Sequence, residues 1–465
     1  MTEQGSDPAP LTEALAAFVG AFRPAVLPDE VKESTLNVVR DGTGAMLTAA
    51  NPAYSTGPLI AEFVRRHGGK AEATVVGHGF KTDCVNAALA NGTLGYACDI
   101  EPYHPGAILH PIAVLIPTAL AVGERTGASG EAFLAAVALG CEVEYRVSMA
   151  IGPAQQYALG FHPSAVCGTF GAAAAAGFLL GLEAQAMVRA FGLSACQASG
   201  MMAWENDPTE NARPFQMGMA ARNGITAALL AEAGFGGPVS VFDHGHTVFH
   251  AFSRDARPEL LTADLGKTWN GITELAIKPF SCVAFLHPGV DALLDIVDEE
   301  DLAPGDIESL AMHFPSSGVH CIDDNPLRSH SAQYILPVAV ADREVRVGVF
   351  FEDRRETDPA LAELSRRTRV VADEGELEDA FPDSYATIIE VTTRDGRTLR
   401  RRNDIARGYP ATPLSTQDLE AKFTSLVSAV APPEGVGALL NAIAGLPEAP
   451  SLAEYADLVG RPAQA

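Results

Sequence analysis

Positive charge is what this chain has least of. Its 465 residues carry 32 Lys and Arg against 58 Asp and Glu, a formal net charge of -26 at pH 7. That deficit argues against a nucleic-acid backbone or an anionic membrane surface as partner. A small anionic ligand is still compatible with it, provided a few cations are gathered in one pocket against the global field. Cysteine is sparse too. Cys84, Cys98, Cys141, Cys167, Cys196, Cys282 and Cys321 are odd in number, scattered, and mostly set among Ala, Val and Gly, with no C-x-x-C spacing. A disulfide framework or a zinc site is therefore not expected, and buried free thiols in a reducing, cytoplasmic compartment are. No G-x-G-x-x-G follows a strand, and neither a P-loop nor a G-x-S-x-G elbow occurs, so nucleotide cofactors and a serine triad lack support. Asp7, Glu13 and Asp29 interrupt the N-terminal region, which has no basic stretch, and no signal peptide is expected there. Residues 165–182 (AVCGTFGAAAAAGFLLGL) approach membrane-spanning length. Their Ala and Gly content and their His-Pro start read as a buried central helix instead.

Two His-Pro pairs, His110-Pro111 and His162-Pro163, each open a long apolar stretch. Proline is favoured at the first position of a helix, where its missing N–H costs nothing. Each pair therefore predicts a histidine at the mouth of a buried helix, where anions are attracted and an imidazole can move a proton near neutral pH.

At 47% hydrophobic, the chain can bury two substantial cores. From about residue 10 to 268 the pattern is helical. A helix opens at Pro28-Asp29-Glu30, and Ala-rich segments follow at 106–123, 131–150, 164–182, 185–200 and 218–234. Several have so little polar surface that they belong inside a bundle, with Gly and Ala permitting close helix approach. Beyond 273 the character changes. Residues 307–314, 343–352, 386–393 and 397–402 suit strands, the last two joined by Arg394-Asp395-Gly396 as a hairpin. Helices are expected at 288–300 and 357–366, then again at 416–430, opened by a Ser415–Asp418 capping box, and at 451–459. The expected fold is mainly α with an α+β lid: a large all-helical domain (1–270 and 408–465) and a smaller inserted α/β domain (271–407).

Four segments could carry chemistry. Asp99-Ile100-Glu101-Pro102-Tyr103-His104-Pro105 leads to His110 and gathers carboxylate, phenol and imidazole, groups that share acid and base work when their environments differ. Read blandly, it is an ordinary polar loop. Gly160-Phe161-His162-Pro163 sets a second histidine at a helix start, where it could equally be a packed ring. Arg213 precedes another small-residue helix and could grip a carboxylate with two parallel hydrogen bonds, or be a surface arginine. Lys278 lies where the pattern changes, at a junction of the kind that often holds ligands, or is a linker lysine. Asp243-His244-Gly245-His246 with His250 is the obvious metal candidate. It lacks the βα repeats of the barrels that use H-x-H, so no metal is expected.

Taken together these segments resemble the MmgE/PrpD family, which includes 2-methylcitrate dehydratases, cis-aconitate decarboxylases and iminodisuccinate epimerases. The matching pieces run over roughly 10–430: Asn91-Gly92 through Asp99, His110-Pro111, Gly140 through Arg146, Gly160-Phe161-His162-Pro163, Ala221-Arg222-Asn223-Gly224, Gly234-Phe235-Gly236-Gly237-Pro238, Lys278-Pro279, Ser331-Ala332-Gln333-Tyr334 and Pro413-Leu414-Ser415. The resemblance implies a homodimer of two-domain subunits, a site in the cleft between the domains, and no metal or organic cofactor. It places Asp99, His110, His162 and Lys278 on catalytic positions. Three departures stand out. The acidic run after Asp99 is Ile100-Glu101-Pro102 rather than Asp-rich. The family's Lys-Pro-Leu-His is Arg213-Pro214-Phe215-Gln216, which keeps a cation but loses a titratable lysine and a histidine. Trp204-Glu205-Asn206-Asp207 upstream is bulky and polar. The expected activity is that of a cofactor-independent lyase on a small di- or tricarboxylate, with an isomerase or epimerase as the alternative. A metal-dependent hydrolase and a non-catalytic binding protein rank below. Arg213 and Lys278 would hold carboxylates, with Tyr103 and His104 as further binding candidates. His110 and His162 would move protons, and Asp99 would orient or tune a histidine.

Overall fold

The computed structural model describes residues 10–350, 352–381 and 384–464. Contacts divide the chain into two units, one comprising 1–97, 101–275 and 423–465 and the other 98–100 and 276–422.

The first unit is a helical bundle. Its principal helices are α1 (Leu11–Ala21), α2 (Asp29–Ala49), α3 (Thr56–His67), α4 (Cys84–Tyr96), α5 (Ile112–Thr126), α6 (Gly130–Ile151), α7 (Pro153–Ala158), α8 (Pro163–Leu179), α9 (Ala184–Ala195) and α10 (Ala212–Glu232). A small antiparallel hairpin, β1 (Ala73–Val75) with β2 (Phe80–Thr82), precedes α4. Helix α8 is buried from Pro163 to Gly177, as its composition predicts. Among the described residues no helix is long and apolar enough to cross a membrane.

Glycine decides how closely the central helices approach. A Cβ on Gly92 of α4 would lie 2.8 Å from Gly218 Cα of α10. One on Gly224 of α10 would lie 2.4 Å from Ala172 Cβ of α8, and one on Gly171 of α8 would lie 2.8 Å from the Gly140 oxygen of α6. Real Cβ contacts are never that short, so any side chain at these crossings would force the helices apart. The crossings fix where α4 ends and where α8 and α10 begin, and the chemically useful residues sit at those ends.

Two buried carboxylates of α6 meet different fates. Glu142 pairs with Arg146 one turn on (2.6 Å) and accepts the Gly271 N–H at 2.9 Å. Arg146 also donates to the Thr268 hydroxyl at 3.2 Å, so the pair ties the 263–271 segment to the helix. Glu144 is fully buried, and neither of its oxygens has a hydrogen-bond partner. Burial pushes its carboxyl well above the usual carboxylate range.

The second unit contains a four-stranded sheet in the order β4-β3-β5-β6, from β3 (Ile307–Pro315), β4 (Thr368–Asp373), β5 (Thr387–Thr393) and β6 (Thr398–Asn403). Strand β3 is parallel to β4 and antiparallel to β5, and β5 and β6 form the expected hairpin. Gly396 supplies its left-handed turn residue at φ 88°. The crossover from β3 to β4 contains helices Ala332–Asp342 and Pro359–Arg366, and helix His287–Glu300 precedes the sheet. Leu293, Val297, Leu310, Met312, Ile335, Val338, Ile389 and Val391 belong to the unit's core.

One expectation fails. Among the described residues of 343–352 no strand forms; Val347–Phe350 is a single 3-10 turn. Val345, Val347 and Val349 are buried alternately, as the pattern requires, but Val349 N–H bonds locally to the Arg346 carbonyl instead of to a sheet neighbour. Alternation reports which side chains are buried, not where the backbone hydrogen bonds go. The missing strand is β4, whose TRVVAD sequence lacks strong alternation. The capping box is present: Ser415 Oγ accepts the Asp418 N–H and the Asp418 carboxylate accepts the Ser415 N–H, both at 3.1 Å.

Glu144 generates a prediction about pH. The unfolded chain releases this proton above the ordinary value near 4.5, whereas the folded chain keeps it. Stability is therefore lost as pH rises past the unfolded value, by up to ~1.4 kcal/mol per pH unit. Glu144→Gln should remove that slope, so the stability difference from the wild type in urea denaturation should shift in the variant's favour as pH rises above the unfolded value. A difference that stays constant with pH would mean that Glu144 is ionised in the fold.

Candidate active site

The two His-Pro histidines meet within the first unit. His162 is the N-cap of α8 with Pro163 as the first helical residue, as read from the sequence. For α5 the proline itself is the cap, so His110 stands one residue further out. The His110 N–H donates to Ser164 Oγ in the first turn of α8 at 2.9 Å, which ties one helix start to the other.

Aromatic rings fix the imidazoles. Tyr96, the last residue of α4, lies 4.5 Å from the His110 ring and 6.0 Å from the His162 ring, centroid to centroid. Tyr103 stacks on His110 at 5.9 Å, and Trp204 lies 5.9 Å from His162. Arg213, in the first turn of α10, places its guanidinium carbon 4.7 Å from the Tyr96 ring centre and 5.5 Å from that of Trp204. Such cation–π contacts hold the side chain in one place at a desolvated site. Glu210 Oε2 lies 3.9 Å from Arg213 Nη2. Arg213 is 4% exposed and is not a surface arginine.

Each histidine has a different polar partner. His110 Nδ1 lies 2.7 Å from Oε1 of Glu101, which is fully buried. A carboxylate there orients the ring and can balance the positive charge that arises when Nε2 holds a proton. His162 Nδ1 faces Gln216 Oε1 at 3.0 Å. Burial, with His110 and Arg213 as positive neighbours, pushes the His162 ring down to about 3, so it is neutral at ordinary pH. One imidazole stands beside an anion and the other is held neutral, an arrangement suited to dividing donor and acceptor roles.

Glu101 has the 2.7 Å contact with His110, and Asp99 forms a buried ion pair with Lys278. That pair belongs to the second unit. Lys278 Nζ also donates to the Asp99 carbonyl at 3.2 Å, Ser281 Oγ to the Cys98 carbonyl at 2.8 Å, and Lys422 Nζ to the Ile100 carbonyl at 2.9 Å. Nearby is another His-Pro start that the sequence reading did not use, His287-Pro288. Burial and the Lys278 charge push His287 down to about 3, and its Nε2–H donates to the Cys282 carbonyl at 3.2 Å.

His104 does not contact the cluster's polar groups. Its Nδ1 accepts the Ala107 N–H at 3.1 Å, its ring stacks on Tyr145, and burial holds it neutral, lowered to about 4. Asp243 is committed to the N-terminus of α1, where it accepts the Thr12 N–H at 3.2 Å, and His244, His246 and His250 are exposed. Among the described residues these side chains do not form a metal-binding group. Sequence reasoning missed Tyr96, and it knew Trp204 and Gln216 only as departures. A tyrosine closing a helix just before Asp99 was the available signal for Tyr96.

Residues 13–261 match the family model of the MmgE/PrpD N-terminal domain, and residues 280–445 match that of the MmgE/PrpD C-terminal domain. The chain belongs to the MmgE/PrpD family. Its relatives include the cis-aconitate decarboxylase-like protein oryM of Aspergillus oryzae, 26% identical over 97% of both chains. The cis-aconitate decarboxylase of Homo sapiens is 27% identical over 94% of this chain and 92% of its own length. That of Aspergillus terreus is 25% identical over 99% of each. This MmgE/PrpD protein is an enzyme of the lyase type.

Glu101 and Lys278 give two predictions. Glu101→Gln keeps the shape but removes the charge opposite His110, and should lower kcat by roughly 10²–10⁴-fold with an unchanged melting curve. Turnover within a few-fold of the wild type would remove the pair from the chemistry. Lys278→Met removes the cation paired with buried Asp99 and should cost ~3–5 kcal/mol in denaturation of the full chain. An unaltered transition would show that the charge is compensated by other groups.

Proposed function

We propose that this enzyme is a cofactor-independent decarboxylase of a small unsaturated tricarboxylate of the cis-aconitate kind. The observation that carries the reading is the His110–Glu101 pair set beside neutral His162 and buried Arg213, in a chain related over nearly its whole length to cis-aconitate decarboxylases. Arg213 would bind a substrate carboxylate with two parallel hydrogen bonds, backed by Tyr96 and Trp204. Breaking the bond to the departing carboxylate releases CO2 and leaves its electron pair on carbon. A fixed cation in a site shielded by aromatic rings stabilises that charge as it forms. His110 Nε2–H would then deliver a proton to carbon, with Glu101 balancing the imidazolium before transfer. The ring is reprotonated from water, so one proton is taken up for each CO2 released.

A second reading, removal of water or proton transfer with inversion, is favoured by the neutral His162. A ring that stays unprotonated at ordinary pH can take a proton from carbon, and both of those reactions begin that way.

Proton NMR of the purified enzyme with cis-aconitate in D2O separates the readings. Decarboxylation predicts loss of one carbon as CO2 and one deuterium on carbon in the dicarboxylate product. Deuterium exchange or water loss without CO2 would favour the second reading. If CO2 is released neither from cis-aconitate nor from 2-methylcitrate, citrate or amino-dicarboxylates, the decarboxylase assignment fails.

A further inference from the structure

Gln216, where the resembling family carries histidine, is held at both ends. Its Nε2 donates to the Met201 carbonyl oxygen at 2.9 Å, and its Oε1 lies 3.0 Å from His162 Nδ1. A backbone carbonyl can only accept a hydrogen bond, so the amide NH2 must face Met201 and the amide oxygen must face the ring. That oxygen can only accept in turn, so Nδ1 carries the ring hydrogen. We propose that Gln216 is a positioning residue that holds His162 as the Nδ1–H tautomer and leaves the Nε2 lone pair as the ring's end for proton transfer.

The surroundings support a dedicated device. The loop that supplies the Met201 carbonyl also fixes the backbone at His162: His162 N–H donates to the Gly200 carbonyl at 3.0 Å, and Met202 N–H to the Gly160 carbonyl at 2.9 Å. Gly200 adopts φ 154°, and a Cβ on it would lie 2.3 Å from Ala165 Cβ and 3.2 Å from Gln216 Oε1. Ring and amide are thus registered against each other by three consecutive residues. The other groups facing the ring are His110 from the stretch before α5, Tyr96 from α4, Trp204 from the turn before α10, and Arg213 on α10. Of these, His110 and Arg213 act on it by positive charge. An acid at 216 would stabilise imidazolium, whereas an amide sets the tautomer without adding charge. Orientation of a catalytic histidine by its second nitrogen is a general requirement of such chemistry.

The inference rests on the reading above that His162 takes part in proton transfer, and the two can fail separately. Two-bond ¹H–¹⁵N spectra of the full chain labelled at its 12 histidines read the tautomer directly, with His162 assigned by its absence in His162→Ala. The wild type should show Nδ1 protonated and Nε2 bare. Gln216→Leu should give mixed tautomers and lower kcat by roughly 10–100-fold, with KM within about twofold. Gln216→Glu should introduce an acidic limb into the pH profile of kcat that the wild type lacks. A wild-type ring protonated at Nε2, or a Gln216→Leu variant with unchanged tautomer and kcat, overturns the assignment. Should Gln216→Leu not fold, the wild-type spectrum and the Gln216→Glu profile decide. If His162→Ala keeps full turnover, the proton-transfer reading falls, while the spectrum still judges what Gln216 does.

Discussion

Close contact between helices without intervening side chains is the constraint on which the first unit depends. Dense interiors tolerate neither gaps nor overlap. Glycines at 92, 171, 218 and 224 therefore set the spacing of four central helices to within a fraction of a side chain. Helix ends follow rigidly from helix spacing. Tyr96 ends α4, His162 caps α8, and Arg213 and Gln216 stand in the first turns of α10, so small residues well away from the imidazoles decide where the imidazoles are. This division of labour puts function on rigid scaffold ends and leaves the crossings to packing.

Electrostatics at the cluster runs against the charge of the whole chain. A molecule with net charge -26 gathers a buried arginine and two imidazoles around one spot, with the buried carboxylate of Glu101 against one of the rings. Desolvation does the remaining sorting. It keeps His162 neutral between two positive neighbours, and it makes the few charges that stay far more effective than they would be in water. An anion entering such a place meets cation and aromatic faces rather than the acidic exterior.

Much of this was legible in the sequence, and the remainder has identifiable causes. The buried helix at 163–179, the hairpin across Asp395-Gly396, the capping box at Ser415 and the histidine at the mouth of α8 all follow from local chemistry, because proline, glycine and serine act on their immediate neighbours. The strand expected at 343–352 failed because alternation constrains side chains only. The pairing of Glu101 with His110, and of Asp99 with Lys278, could not be read at all. Two carboxylates two residues apart are equivalent in sequence, and only the course of the backbone, with Asp99 in the left-handed region at φ 48°, gives them different partners.

That three-residue segment has a consequence for how the protein is made. Cys98–Ile100 packs as part of the second unit, yet its anchor Lys278 follows Asp99 by 179 residues. At ~5–20 residues per second of synthesis, the segment waits on the order of ten seconds or more for the lysine that will neutralise it. The stretch matched as a C-terminal domain begins at 280, after that lysine and without that segment. A gene cut at the apparent boundary would encode a fragment lacking both Asp99 and Lys278, the two members of that ion pair.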